Sequence, residues 1–83
     1  MSHERIREVL SSCAGLSVDA SSLPEDADLY RAGMTSHATV NVMLALEDGF
    51  DVEFPTQMLQ RATFSSIASI RRALAELGAE LEA

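Results

Sequence analysis

Lysine and tryptophan are absent from this chain. Cysteine, proline and aromatic residues are scarce: one Cys, two Pro, one Tyr and three Phe in 83 residues. Each shortage excludes something. A single cysteine, Cys13, cannot close an internal disulfide and says nothing about compartment; it reads as a small core residue. No apolar run is long enough to span a membrane, and no signal-peptide pattern opens the chain. A cytoplasmic protein with no membrane contact is the expectation. All six bases are arginine, and nothing in the sequence explains that choice.

Basic charge is scarcest in the middle. Residues 19 to 53 hold eight acids (Asp19, Glu25, Asp26, Asp28, Glu47, Asp48, Asp51 and Glu53) against one base, Arg31. That stretch carries the whole net charge of −7, because the flanking stretches each balance. Phosphates would be repelled, which argues against nucleic acid as a partner. A basic protein surface, approached by electrostatic steering, is favoured instead. The hydrophobic share is 47% and the mean hydropathy +0.08. Apolar residues recur in every segment, which argues against disorder. The length suits a single domain over residues 1–83. A domain this small buries only about 60% of its unfolded surface, and little is left to build a deep catalytic cleft.

Three segments have helical period. In the first, Ile6, Val9, Leu10 and Cys13 form one stripe; Ser2 is the candidate N-cap and Gly15 the stop. The last runs from about Ser66 to Leu77. There Ile67, Ile70, Leu74 and Leu77 share a face, Ser69, Arg72 and Glu76 point away, and Gly78 follows as a stop. The central helix is capped by Thr35, whose hydroxyl can accept from a free backbone N–H. Gly49 weakens its far end and Pro55 forbids continuation past Phe54. Met58 and Leu59 read as one or two further helical turns. Residues 16 to 34 form a long connection, which Leu16, Val18, Leu23, Leu29 and Tyr30 would pin across helix ends. Nothing alternates with period two for long enough to be a strand. The expected fold is all-α: three longer helices, one short one and a long first loop.

Stepping round the central helix at about 100° per residue separates two faces. Thr39, Val42, Met43, Leu46 and Phe50, flanked by Ala38 and Ala45, make a core stripe. Ser36, His37, Val40, Asn41, Leu44, Glu47 and Asp48 fall opposite. Val40 and Leu44 are apolar among polar neighbours. They are either a docking spot or the edge of a wide core stripe. Ser36 sits in the first turn, where free N–H groups suit a phosphate. It is either the bearer of a phosphate-linked group or a second capping hydroxyl beside Thr35.

The segment "GMTSHATVNVMLALEDGFDVEFP" resembles the centre of an acyl carrier protein. That family's pattern is a glycine, an Asp-Ser-Leu triplet, an apolar-patterned helix, then acid-acid-x-Phe, an acidic turn and a proline. Gly33, Ser36, Val40, Leu46, Glu47, Phe50, Glu53 and Pro55 match in register. "FPTQMLQRATFSSIASIRRAL" resembles the family's short third helix, its Thr-aromatic-or-valine step and its fourth helix; "LSVDASSLPEDADLYRAGM" resembles its long first loop. The resemblance therefore covers nearly the whole chain and implies the family's four-helix bundle. It also implies that Ser36 carries 4′-phosphopantetheine, transferred from coenzyme A by a phosphopantetheinyl transferase. The arm's thiol would hold an acyl or aminoacyl thioester for partner enzymes, so the polypeptide itself needs no catalytic residue. The implied partners are that transferase, a loading ligase and downstream transferases with basic docking surfaces. Thr35, His37, Val40, Asn41, Leu44, Glu47 and Asp48 would form the docking face, and a monomer suits such a carrier.

Two positions depart from the pattern. Thr35 replaces the family's Asp, which leaves open which transferase acts. His37 replaces the family's Leu, and its protonation would trim local negative charge. Acids are also missing at Ala38 and Asn41. These departures suggest a dedicated carrier rather than the general fatty-acid one. Stand-alone carriers loaded with amino acids by discrete ligases, and carriers of small natural-product pathways, both remain open.

Other chemistry is weaker. A nucleophilic Ser36 would need a positioned base, and adjacent His37 points about 100° away on a helix. His3, His37 and Cys13 lack metal-ligand spacing, and the acids at 25, 26 and 28 lack the glycine turn of a calcium loop. The remaining alternative is an acidic helical interaction module of the same fold that is never modified.

Overall fold

In a computed structural model that describes residues 2–16 and 20–78, three α-helices pack around one apolar core, and no strand occurs among the described residues. Helix α1 spans Ser2–Cys13, α2 Ser36–Phe50 and α3 Ile67–Glu76. Three short 3₁₀ turns lie between them, at Ala20–Ser22, Thr56–Met58 and Arg61–Phe64.

The α1 stripe buries Ile6 and Leu10 completely, with Val9 and Cys13 packed at the edge. Ala14 continues it, and Gly15 then turns the chain at φ +65°, a conformation glycine adopts without a Cβ clash. Ser2 already lies inside α1 rather than ahead of it. Helix α3 buries Ile67, Ile70, Ala73 and Leu74. Its start is a reciprocal cap: Ser66 Oγ accepts from the Ser69 N–H at 3.1 Å, and Ser69 Oγ accepts from the Ser66 N–H at 3.0 Å. Ser69 was expected to point to solvent. Its hydroxyl is instead half-buried and also reaches the Thr63 carbonyl at 3.0 Å, because two helix-start N–H groups need partners.

The short third helix is replaced by two 3₁₀ turns, Thr56–Met58 and Arg61–Phe64, with Leu59 and Gln60 between them. Phe64 in the second turn is buried and meets buried Phe54 edge-on, the ring centroids 5.2 Å apart. Both rings belong to the buried core.

The first loop is held by backbone and side chain together. Leu29 is fully buried; Leu16, Leu23 and Tyr30 pack against the core, while Val18 lies outside the described residues. Ala20 and Met34 are also buried. Arg7 reaches out of α1 to donate to the carbonyls of Ala20 at 2.7 Å and Leu23 at 2.6 Å. The Leu29 N–H bonds the Ser65 carbonyl, and the Ala68 N–H bonds the Glu25 carbonyl, each at 2.8 Å. The loop is thereby stitched to both α1 and the start of α3.

Candidate functional site

The approach to α2 is built one residue at a time. Gly33 takes φ +118°, a backbone region that side chains rarely enter. Met34 then turns inward, 3% exposed. Thr35 is extended, and its Oγ1 accepts from the Ala38 N–H at 3.0 Å, while its carbonyl accepts from the Thr39 N–H at 2.9 Å. Thr35 alone therefore caps the helix, and no second capping hydroxyl is required.

Ser36 is the first residue of α2 and is exposed. Its hydroxyl has no hydrogen-bond partner among the described residues, and the N–H groups of Ser36 and His37 are also without one there. An unengaged hydroxyl beside free donors at the positive end of a 15-residue helix can be reached by an enzyme and can tolerate an attached phosphate.

Below Ser36, α2 separates its faces more sharply than periodicity alone could. Val42 and Leu46 are fully buried; Ala38, Thr39, Met43, Ala45 and Phe50 are half-buried. Val40 is 50% exposed and Leu44 53%, which rules out the wide-core-stripe reading. His37, Asn41 and Asp48 are exposed beside them. Glu47 differs from these neighbours. It is half-buried, and its Oε2 accepts from the Phe54 N–H at 2.9 Å. Its backbone carbonyl also takes the N–H groups of Asp51 and Val52. Glu47 therefore fastens the turn after α2 rather than standing free on the outward face. That turn ends the helix at Phe50, where Asp51 adopts the left-handed conformation at φ 55°, four residues before Pro55 is reached.

A groove of about 310 Å³ opens beside Ser36. It is lined by Tyr30 from the first loop, by Ser36, Thr39, Val40 and Met43 from α2, and by Leu59, Gln60, Arg61 and Phe64 from the segment before α3. The Arg61 guanidinium lies 3.9 Å from the Tyr30 ring centroid, a cation–π arrangement. The Tyr30 hydroxyl is 3.4 Å from Thr39 Oγ1, which donates to the Thr35 carbonyl at 2.9 Å. Sequence reasoning missed this groove. By pattern alone Met58 and Leu59 give only a helical turn or two, and no local pattern brings Arg61 to Tyr30. The available signal was the apolar Leu59 next to polar Gln60 and Arg61.

No group of three or more His, Cys, Asp or Glu residues placed to hold a metal occurs among the described residues. No helix among them is long and apolar enough to cross a membrane. The side chain of His3 lies outside the described residues.

Residues 4–74 match the protein family described as "Phosphopantetheine attachment site". The chain is 43% identical over 65 residues to an aminoacyl carrier protein of Agrobacterium fabrum, an alignment covering 78% of each chain. Its fold matches a chain in the crystal structure of an engineered Bradyrhizobium japonicum glycine:[carrier protein] ligase complexed with a carrier protein from Agrobacterium tumefaciens and ATP. The TM-score is 0.88 at 37% identity, covering 92% of this chain and 99% of that one. A chain in the structure of the Bradyrhizobium japonicum ligase complexed with glycylated carrier protein matches with a TM-score of 0.74 at 26% identity, covering 87% and 96%.

Proposed function

The chain belongs to the phosphopantetheine attachment-site family of carrier proteins, and from that premise we propose that Ser36 bears the arm and that the cargo is an aminoacyl group. The family's cofactor is covalent 4′-phosphopantetheine, whose terminal thiol supplies the thioester chemistry when the arm is attached.

The residues at the head of α2 fit that group. Thr35 takes over the capping duty, which frees the Ser36 hydroxyl to be the acceptor that a phosphopantetheinyl transferase must reach. The N–H groups of Ser36 and His37 face an incoming phosphate with donors in place. Beside them, Val40 and Leu44 offer exposed apolar surface with His37, Asn41 and Asp48 around it. This is the surface a loading enzyme would cover. The polypeptide anchors, presents and docks; it has no catalytic part in this reading.

The aminoacyl assignment rests on the relatives. One is an aminoacyl carrier protein, and two solved neighbours are in complexes with a glycine:[carrier protein] ligase. At 99% coverage by an 83-residue chain, the matched chain of the ATP complex is the carrier and not the ligase. We infer a discrete ATP-dependent aminoacyl ligase as the loading partner, with residues 1–83 acting as one carrier domain in the cytoplasm, where coenzyme A is available.

The observation that carries the proposal is the exposed, unbonded hydroxyl of Ser36 at the head of α2. Incubation with coenzyme A and a broad-specificity transferase should add one arm by intact mass, and Ser36→Ala should abolish the gain. ATP, an amino acid and a glycine:[carrier protein] ligase should then add one aminoacyl mass. No arm with any of several transferases would favour the unmodified interaction module; loading by an acyl rather than an aminoacyl ligase would reassign the cargo.

A further inference from the structure

Three of the six arginines have structural work. Arg7 holds the Ala20 and Leu23 carbonyls, Arg5 lies 5.7 Å from the Phe50 ring centroid, and Arg61 lies over the Tyr30 ring. Arg71 and Arg72 differ from these. Both are exposed on α3, and neither has an ion pair, a hydrogen bond or a ring contact among the described residues. Glu76 stands four residues beyond Arg72, the spacing at which opposite charges on a helix can meet, yet the two form no ion pair there. Neither arginine lies in the last turn of α3, where a cation would serve the helix dipole. The charge around them is also reversed. Residues 54–78 hold three arginines against one acid, Glu76, in a chain of net charge −7. At about 100° per residue, half-buried Ala68 and exposed Ala75 fall between the two arginines. A partner backbone can therefore come close between two cations. Beside Arg72, a hollow of about 210 Å³ has Met58, Ala62 and Ala73 in its lining.

We propose that the outward face of α3 is a second docking surface, for a partner protein that presents an acidic helix with one apolar side chain. It is separate from the face of α2 that a loading enzyme would cover. Charge complementarity selects the occupant. A free guanidinium takes both oxygens of a carboxylate through paired N–H donors, and arginine is favoured over lysine at protein interfaces. An acidic partner is repelled by residues 19–53 and drawn to Arg71 and Arg72, which fixes its orientation on the carrier. Its apolar side chain enters the hollow beside Arg72. Neither arginine lines the groove beside Ser36, so a chain held at α3 keeps the head of α2 free for another enzyme. The inference stands whether or not Ser36 bears the arm.

The probe is a synthetic helical peptide in which two glutamates flank one leucine, titrated into the full chain and followed by NMR. Saturable shifts should appear at the amides of Arg71, Arg72 and Ala75 and at the Met58 methyl. Binding should weaken as salt rises from about 50 to about 300 mM, because exposed charges are then screened. Reversing both arginines, Arg71→Glu with Arg72→Glu, should weaken binding about tenfold, as expected for the loss of two exposed charge pairs. Arg71→Gln with Arg72→Gln should lie between the reversal and wild type, and serves if the reversal does not fold. The same peptide with glutamine for glutamate should not bind. Arm attachment and ligase loading should be unchanged in the double reversal. Shifts confined to α2, no shifts at all, or equal binding of the glutamine peptide would overturn the inference. Slower ligase loading in the double reversal at an unchanged Tm would place α3 under the loading enzyme and overturn a separate partner. Self-association abolished by the reversal, read by sedimentation, would make a second copy the occupant and overturn it too. Failure of arm attachment in the wild-type chain bears on Ser36 alone.

Discussion

Glu47 and Asp48 are adjacent acids on α2, and the structure gives them different work. The Glu47 carboxylate holds the N–H of Phe54, a residue only 7% exposed. Glu47→Ala would leave that buried donor without its partner, at a cost of about 1–3 kcal/mol, seen as a lower Tm. Asp48 is exposed and has no such bond among the described residues, so Asp48→Lys should change stability by roughly 0.5 kcal/mol or less. If the proposed docking face is right, loading by a ligase should slow while the melt is unchanged. Reversing both charges together would mix the two effects, so the single substitution is the cleaner experiment. Asp51 is a third acid of this stretch with a conformational role. At φ 55°, Asp51→Val should cost about 1–2 kcal/mol of backbone strain, whereas Asp51→Gly should not; thermal melts of the pair separate the outcomes.

Within one element, α2 joins a buried face to an exposed one that is proposed for docking. Leu46 is fully buried and Leu44 is 53% exposed. Leu46→Ala should cost about 2–5 kcal/mol through lost contacts and a residual cavity. Leu44→Ala should leave the melt nearly unchanged and reduce loading instead. Equal effects of both on stability would refute the face assignment, and an unchanged loading rate in Leu44→Ala would remove Leu44 from the docking surface. The start of the helix divides labour in the same way. Thr35→Ala should cost about 1 kcal/mol as a lost cap, whereas Ser36→Ala, whose hydroxyl makes no bond among the described residues, should remove the arm with little effect on the melt.

At the scale of the whole molecule, the first loop decides where Ser36 sits, because Gly33, Met34 and Thr35 are its last residues. That loop is fixed to α1 by Arg7 and to the start of α3 by the backbone bonds of Leu29 and Glu25. Arg7→Met keeps much of the side-chain bulk but removes the donors to the Ala20 and Leu23 carbonyls. It should destabilise by about 1.5–3 kcal/mol, as expected for bonds from a charged donor. Hydrogen exchange should show the loss first in residues 20–34. An unchanged exchange pattern there would mean that Leu29 and Met34 hold the loop without Arg7.

Local patterns in the sequence determined a good deal by themselves. The helix stripes of Ile6–Leu10 and Ile67–Leu74, the Thr35 cap and the stops at Gly15 and Gly78 depend on neighbours a few residues apart, and such contacts are legible in one dimension. The Ser36 resemblance was legible for the same reason, as a fixed spacing of residue types along one helix. What only the tertiary structure decided are relations between distant segments. Whether Val40 and Leu44 lie outside the core depends on which neighbours cover α2. Whether the segment after Pro55 forms a helix or two 3₁₀ turns depends on how Phe64 reaches Phe54. The seating of Arg61 on Tyr30 joins two loops whose sequences carry no sign of each other. Periodicity records which side of an element is apolar, and packing alone determines what that side meets.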